Sequence, residues 1–290
     1  MKIDFVLMEG IEGRASDQVA ELMKAAFGMG AEFTTEIVLR SSAPADPSLP
    51  SLYVAAMENE QMIAFNAFAT VPLRSATMTT VAYQSCWSAT HPDHQGRGIW
   101  VKLMNEAKEL LAQRGAFIFG VPNNNSHPIF IRKLGYREVP IVSTSLLAIP
   151  MLRGRNVDFA KFHQPKGLVP DERAIAASKN LGDAVCRFEN RSAFAWGKKR
   201  IRRIRGVPVP YFFAGGVQAG PDGESLEGLF RLMLRSSGAY AQVILSATHE
   251  LAPIFPDRRV LSGVNPFIVL DLQGGSDDPL NMMFGVTDVF

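Results

Sequence analysis

The 290-residue chain is poor in several features that would place it at once. It has two cysteines, Cys86 and Cys186, too few for a disulfide framework. That excludes the disulfide-stapled secreted class, and two reduced, buried thiols are expected. No apolar run reaches the ~20 residues of a membrane-spanning helix, and Met1-Lys-Ile-Asp-Phe-Val lacks a basic segment leading into a long apolar one. A soluble, cytoplasmic protein with no membrane partner is the expectation. Charge of one sign is missing too: 30 Lys and Arg against 28 Asp and Glu leave a formal net charge of +2. Nothing global therefore pulls the chain toward nucleic acid, which is not expected as a partner. His91 and His94 flank Pro92-Asp93 without further ligands at suitable spacing, so no metal is expected.

What the chain does have is a short glycine-rich loop between an extended and a helical segment. Val81 to Thr90 is rich in β-branched and aromatic residues and reads as a strand. Trp87 alternates there with Ser85 and Ala89 and is expected in the core. Ile99 to Arg114 puts Ile99, Leu103, Ala107 and Leu110 or Leu111 on one face, with Gly115 where a helix should stop. Between them, His91-Pro-Asp-His-Gln-Gly-Arg-Gly-Ile-Trp100 aims unpaired backbone N–H groups and the positive end of a helix dipole at one point. A phosphate or pyrophosphate fits such a point. A Walker loop would need Lys then Ser or Thr, but Lys102 is followed by Leu103. A dinucleotide fingerprint begun at Gly96 and Gly98 meets Val101 at its third glycine.

Gln95-Gly-Arg-Gly98-Ile-Trp100 resembles motif A of the GNAT superfamily, the acyl-CoA-dependent N-acetyltransferases, whose pattern is [QR]-x-x-G-x-[GA]. A second block, Phe119 to Tyr136, resembles that family's following strand, helix and turn. Phe130, Lys133, Gly135 and Tyr136 match the ending, and Asn124 stands at the expected Asn. The resemblance implies an α/β fold with a mixed, mostly antiparallel sheet flanked by helices. It also implies acetyl-CoA or another acyl-CoA as cofactor, held by Ser88, Ala89, Thr90, Gln95, Gly96, Arg97, Gly98, Ile99, Trp100, Asn124 and Phe130. Backbone N–H near Ser88 to Thr90 would polarise the thioester carbonyl, and Arg97 would meet a phosphate. Two departures stand out. Trp100 occupies a small-residue position, so it either points away from the phosphates or reshapes the pocket. Ile131 occupies the place of a Tyr that protonates the leaving sulfur.

The chemistry names what to look for. Holding a lysine-like amine of pKa ~10.4 neutral at pH 7 costs about 4–5 kcal/mol, so a base or water relay is useful. Glu32, Glu36, Glu58 and Glu60 are unranked candidates. Protonating a thiolate of pKa ~8.5 at pH 7 is worth only about 2 kcal/mol, so losing the Tyr need not stop turnover. Ser126, His127 or a bound water are the candidate donors, with Ser126 alternatively the N-cap of a helix whose first turn holds Pro128. The acceptor expected is a small-molecule or lysine-type amine. A non-catalytic acyl-CoA-binding or regulatory module is the alternative, and a homo-oligomer is left open.

Around these motifs, a helix at Ser16 to Phe27, extended segments at Ser51 to Met57, Met62 to Val71 and Thr77 to Thr90, and an Asn59-Glu60 turn fill out an acyltransferase core, with Tyr136 to Ile149 as its closing strand. The length exceeds one ~100–200-residue domain. The expected division is residues 1–150 as the acyl-CoA-binding domain and 151–290 as a second α/β lobe, in the manner of a degenerate, non-catalytic copy, with the connection at Pro150 to Pro170. That lobe has extended candidates at Asp183 to Phe194, Val207 to Phe213, Tyr240 to Leu245 and Phe267 to Leu272, and a helix at Leu226 to Leu234. Lys198-Lys-Arg-Ile-Arg-Arg-Ile-Arg205 is densely basic. It reads as a solvated strand edge guarded by charge, with a phosphate, acidic-substrate or nucleic-acid patch as the sharper reading.

Overall fold

The computed structural model describes residues 2–30, 32–44, 46, 48–75, 77–148, 156–163, 167–178, 185–220, 223–237, 240–261, 266–274 and 280–283. The chain forms two compact units, each discontinuous in sequence. Met1–Pro72, Thr80–Glu138 and Ile268–Ser276 make the first; Leu73–Thr79, Val139–Phe267 and Asp277–Phe290 make the second. Much of the expected connection at Pro150 to Pro170 lies outside the described residues.

The first unit is built on a mixed sheet of β1 (Asp4–Met8), β2 (Leu52–Glu58), β3 (Gln61–Arg74), β4 (Thr79–Thr90), β5 (Phe117–Gly120) and β6 (Arg137–Val139). Asn59 and Glu60, both at positive φ (51° and 62°), close the β2–β3 hairpin as the expected turn. On one face lie α1 (Arg14–Phe27) and α2 (Thr35–Ser41), with Val19, Leu22, Met23 and Val38 buried against Tyr53, Phe65 and Ala67. On the other lie α3 (Ile99–Ala112) and α4 (His127–Leu134), where Ile99, Leu103, Ala107 and Leu111 join Phe130 and Leu134 in a second cluster. Helical periodicity located these buried faces because burial of one apolar stripe is what holds each helix to the sheet. Gly115 follows α3 but does not stop it in a left-handed conformation. A Cβ there would come within 2.6 Å of the Tyr83 ring and 2.8 Å of the Val81 carbonyl, so the glycine serves a close approach to β4.

The run Tyr136 to Ile149 is not one closing strand. Pro140, unable to donate to a ladder, separates β6 from β7 (Ile141–Leu147), and β7 belongs to the second sheet. The first sheet is closed instead by β14 (Phe267–Asp271), which pairs antiparallel with β5 and lies between β5 and β6. The strand expected in the second lobe at Phe267 to Leu272 thus completes the first unit.

The second sheet runs in the order β13 (Arg259–Val260), β7, β12 (Tyr240–Ser246), β11 (Val207–Gln218), β10 (Phe194–Ile204), β9 (Val185–Glu189). Helix Gly223–Ser237 buries Leu226, Leu229, Phe230, Met233 and Leu234 against it. β8 (Val169–Pro170) pairs with the end of β3 at Leu73 and Arg74. Cys86 and Cys186 are half-buried and are not joined in a disulfide. No helix of the described residues is long and apolar enough to cross a membrane.

Two neighbours in the second unit titrate in opposite directions. His249 is buried, its Nδ1 accepting the Leu251 N–H at 3.1 Å, and burial pulls its pKa from 6.5 down to about 3. Burial pushes Glu250 from 4.5 up to about 7, against the pull of Arg74. His249 therefore contributes fully above its unfolded value and less as pH falls; Glu250 contributes fully below about 4.5 and less as pH rises through about 7.

Two outcomes follow. Glu250→Gln should raise the melting temperature at roughly pH 8 and leave it little changed at roughly pH 4, which melts across the range would show; no difference at the higher pH would contradict this. A chain cut after Pro150 lacks β14, so the second edge of β5 is bare, and the truncated protein should aggregate or melt far below the full chain.

Candidate active site

The site begins where β4 and β5 part. They pair in parallel only at Ala82↔Phe117, Tyr83↔Ile118 and Gln84↔Phe119, while β4 runs on to Thr90. Beyond the last pair lies Trp87, whose φ of 53° is a conformation that a bulky side chain rarely adopts. In a regular strand, residues three apart face opposite ways. Here the irregularity at Trp87 lets both Ser85 and Ser88 reach buried Asn66 of β3: Oδ1 accepts from Ser85 Oγ at 3.3 Å and from Ser88 Oγ. Cys86, Trp87 and Ala89 all pack on the α1/α2 side, so Trp87 does not simply alternate with Ser85. Its indole N–H donates to Ser41 Oγ at 2.5 Å, and its ring lies 5.6 Å from that of Phe33.

After β4, a single 3₁₀ turn at Pro92–His94 and two left-handed glycines, Gly96 (φ 77°) and Gly98 (φ 71°), carry the chain into α3. No side chain caps α3, so the N–H groups of its first turn point outward unmatched by any cap, with the helix dipole behind them. They face a cavity of about 220 Å³ lined by Thr90, Gln95, Gly96, Gly98, Ile99 and Trp100, and also by His94, Val101, Ile129 and Lys133. Lys133 brings a cation to the same cradle. The Gln95 amide donates to the Thr90 carbonyl at 3.2 Å, tying the loop to the end of β4.

Arg97 does not turn to the cradle. Its Nη2 lies 3.2 Å from Oε1 of buried Glu58, and its Nη1 lies 2.7 Å from His94 Nδ1. It braces the loop against the tip of the β2–β3 hairpin, which the expected phosphate contact did not foresee. The same pair occupies Glu58, while Glu60 is held by Arg14 at 2.9 Å and Glu36 by Arg40 at 3.5 Å. Of the candidate bases, three are therefore engaged by arginines.

Trp100 settles the size conflict by turning toward α4. Its ring meets Phe130 edge-to-face at 5.0 Å, and Phe130 meets Tyr136 at 4.8 Å in the same manner. The side chain becomes a wall of the cavity and leaves the backbone at the helix start open. Its Nε1, like the Tyr136 hydroxyl, is buried with no hydrogen-bond partner.

Ser126 holds the N-cap position of α4, with Pro128 in the first turn, but its side chain makes no capping hydrogen bond. Asn123 braces the turn that leads into α4: its Oδ1 accepts from the N–H groups of Asn125 (3.0 Å) and Ser126 (2.9 Å) and from Ser126 Oγ (3.1 Å). Asn124 is exposed in the turn. His127 pairs with Glu138, Nε2 to Oε2 at 3.1 Å. Neither Ser126 nor His127 lines the cavity, nor do Asn124, Phe130, Ser88 and Ala89. His94, read from sequence only as a turn residue, does line it. The sequence signal was its position between β4 and Gly96, the same position that placed Gln95.

A parted strand pair with an uncapped helix start beside it forms an anion-accepting cradle on a mixed α/β fold, which comparison with known proteins places in context. Residues 11–139 match the model of the acetyltransferase (GNAT) domain. No curated protein matches the chain. Among solved structures, a GCN5-related N-acetyltransferase from Anabaena variabilis is 10% identical, with a TM-score of 0.63 over 93% of this chain and 73% of that one. A probable N-acyltransferase from Enterococcus faecalis is 14% identical, with a TM-score of 0.62 over 94% and 73%. One from Kribbella flavida is 15% identical at 0.57, over 93% and 72%. At these identities the likeness is one of fold, and it extends through both units.

Two substitutions should fail differently. Gly98→Val has room for its Cβ but must hold a left-handed conformation costing about 1–2 kcal/mol, so acetyl-CoA affinity should fall roughly tenfold in a folded protein. Arg97→Ala strands buried Glu58 and should cost stability of about 1–3 kcal/mol with a smaller effect on affinity. Calorimetric titration beside thermal melts separates them, and the reverse pattern would refute the assignment.

Proposed function

We propose that the protein transfers an acyl group, most simply acetyl, from acyl-CoA to an amine by direct attack in a ternary complex. The observation that carries this reading is the uncapped start of α3 behind Gly96 and Gly98, opening on a cavity beside parted strands. The pyrophosphate would rest on the N–H groups from Gly96 to Trp100, with Lys133 as counter-charge. The thioester would enter between β4 and β5, where peptide N–H groups from Ser88 to Thr90 polarise its carbonyl. The amine lone pair attacks the carbonyl carbon, the nitrogen gives up a proton to water, the C–S bond breaks, and the thiolate takes a proton from water or from Ser126 or His127 by way of water.

The cofactor site belongs to the unit that β14 completes, and the remaining chain is a non-catalytic lobe. This adjusts a division at residue 150 by returning Phe267–Asp271 to the first part. Engagement of His127 by Glu138 and the presence of Ile131 favour a second reading, an acyl-CoA-binding module without turnover.

The test pairs acetyl-CoA titration with a CoA-release assay over a mixed panel of amines. Trp100, one of three tryptophans, lines the cavity, so intrinsic fluorescence should change with acetyl-CoA, and less in Trp100→Phe. Saturable binding with amine-dependent release is expected. Binding without release from any amine would establish the module instead, and absence of binding would sink both.

A further inference from the structure

The basic run Lys198 to Arg205 is no flat strand edge. β9 pairs with β10 only as far as Lys198, and β12 pairs with β11 only from Tyr211. Between those limits Lys199–Ile204 and Val207–Pro210 pair only with each other among the described residues, joined by Arg205 (φ 50°) and Gly206 (φ 82°). Nearly every residue of this ribbon is exposed, Ile201 at 74%, Val207 at 60% and Ile204 at 46%. A two-stranded ribbon with both faces in water is marginal on its own.

Its chemistry narrows what it meets. Register places Lys199, Ile201 and Arg203 on one face with Pro208 and Pro210, and Arg200, Arg202 and Ile204 on the other with Val207 and Val209. No Asp or Glu occurs from Arg191 to Pro221, and among the described residues no ion pair reaches Lys199, Arg200, Arg202, Arg203 or Arg205. Pro208 and Pro210 leave the outer edge of β11 without N–H donors there, and cations crowd β10. Such edges resist addition of another strand. The ribbon is therefore shaped to engage through its two faces and its tip.

We propose that this ribbon docks in a groove of duplex nucleic acid. A groove offers phosphates on both walls, matching cations on both faces, whereas a flat anionic membrane or an acidic peptide would satisfy one face. A two-stranded antiparallel ribbon has the width of the major groove. The exposed Ile201, Ile204 and Val207 supply apolar contacts to base edges or steps that phosphate pairing alone would not use. The modest charge of the whole chain concealed this, because the five ribbon cations are offset elsewhere.

Anisotropy of a fluorescein-labelled mixed-sequence duplex of ~20 bp, titrated with the full chain from 50 to 200 mM NaCl, tests the proposal. Binding should weaken with salt at a log–log slope of roughly −3 to −5, as expected when up to five phosphates are neutralised. Arg200→Ala/Arg202→Ala/Arg203→Ala should abolish it with unchanged melting temperature and acetyl-CoA affinity. Ile201→Ala/Val207→Ala should weaken it with the salt slope retained. No binding at low salt, binding that survives the triple substitution, or capture by phosphatidylserine vesicles or polyglutamate in preference to the duplex would each overturn it.

Discussion

The parting of β4 from β5 is the constraint on which the rest of the first unit depends. Strands that stay paired have no free peptide groups to offer a ligand, and strands that separate without support collapse or admit water. Here the separation is held from three sides. The left-handed backbone at Trp87 is fixed by its indole on Ser41 and Phe33. Asn66 gathers Ser85 and Ser88 from beneath, and Gln95 ties the end of the strand to the glycine loop. Strain of about 1–3 kcal/mol at one residue persists only where its surroundings over-determine it, and those surroundings are present here.

The loop at Gln95 to Trp100 was legible because glycines that need positive φ and a helix without a cap leave marks in sequence, and both marks were there at Gly96 and Gly98. So were the faces of α1 and α3, whose periodicity is imposed by burial on one side. Side-chain partners were not legible. Arg97 looked like a phosphate ligand because the hairpin tip carrying Glu58, 39 residues away, is brought to it only by the fold. Asn123, Asn124 and Asn125 are alike in chemistry, and only geometry shows that the first braces the turn into α4. Trp100 resolved toward Phe130 for the same reason: the partner lies on another helix.

Sheet membership was the other quantity that local sequence could not carry. A strand's pattern reports which faces are buried, not which sheet buries them. Pro140 punctuates a continuous apolar run, yet nothing in Arg137–Leu147 says that its halves belong to different sheets. Likewise Phe267–Asp271 reads as a core strand in either unit.

That late strand also sets the order in which the protein can be finished as it is made. β5 emerges early with one edge paired to β4, and its other edge waits for β14, about 150 residues further on. At ~5–20 residues per second of synthesis, that is an interval of about 8–30 s with an apolar strand edge unpaired. The first unit, which carries the glycine loop, is thus among the last to close. Its completion reports that the second unit has been synthesised as far as Phe267.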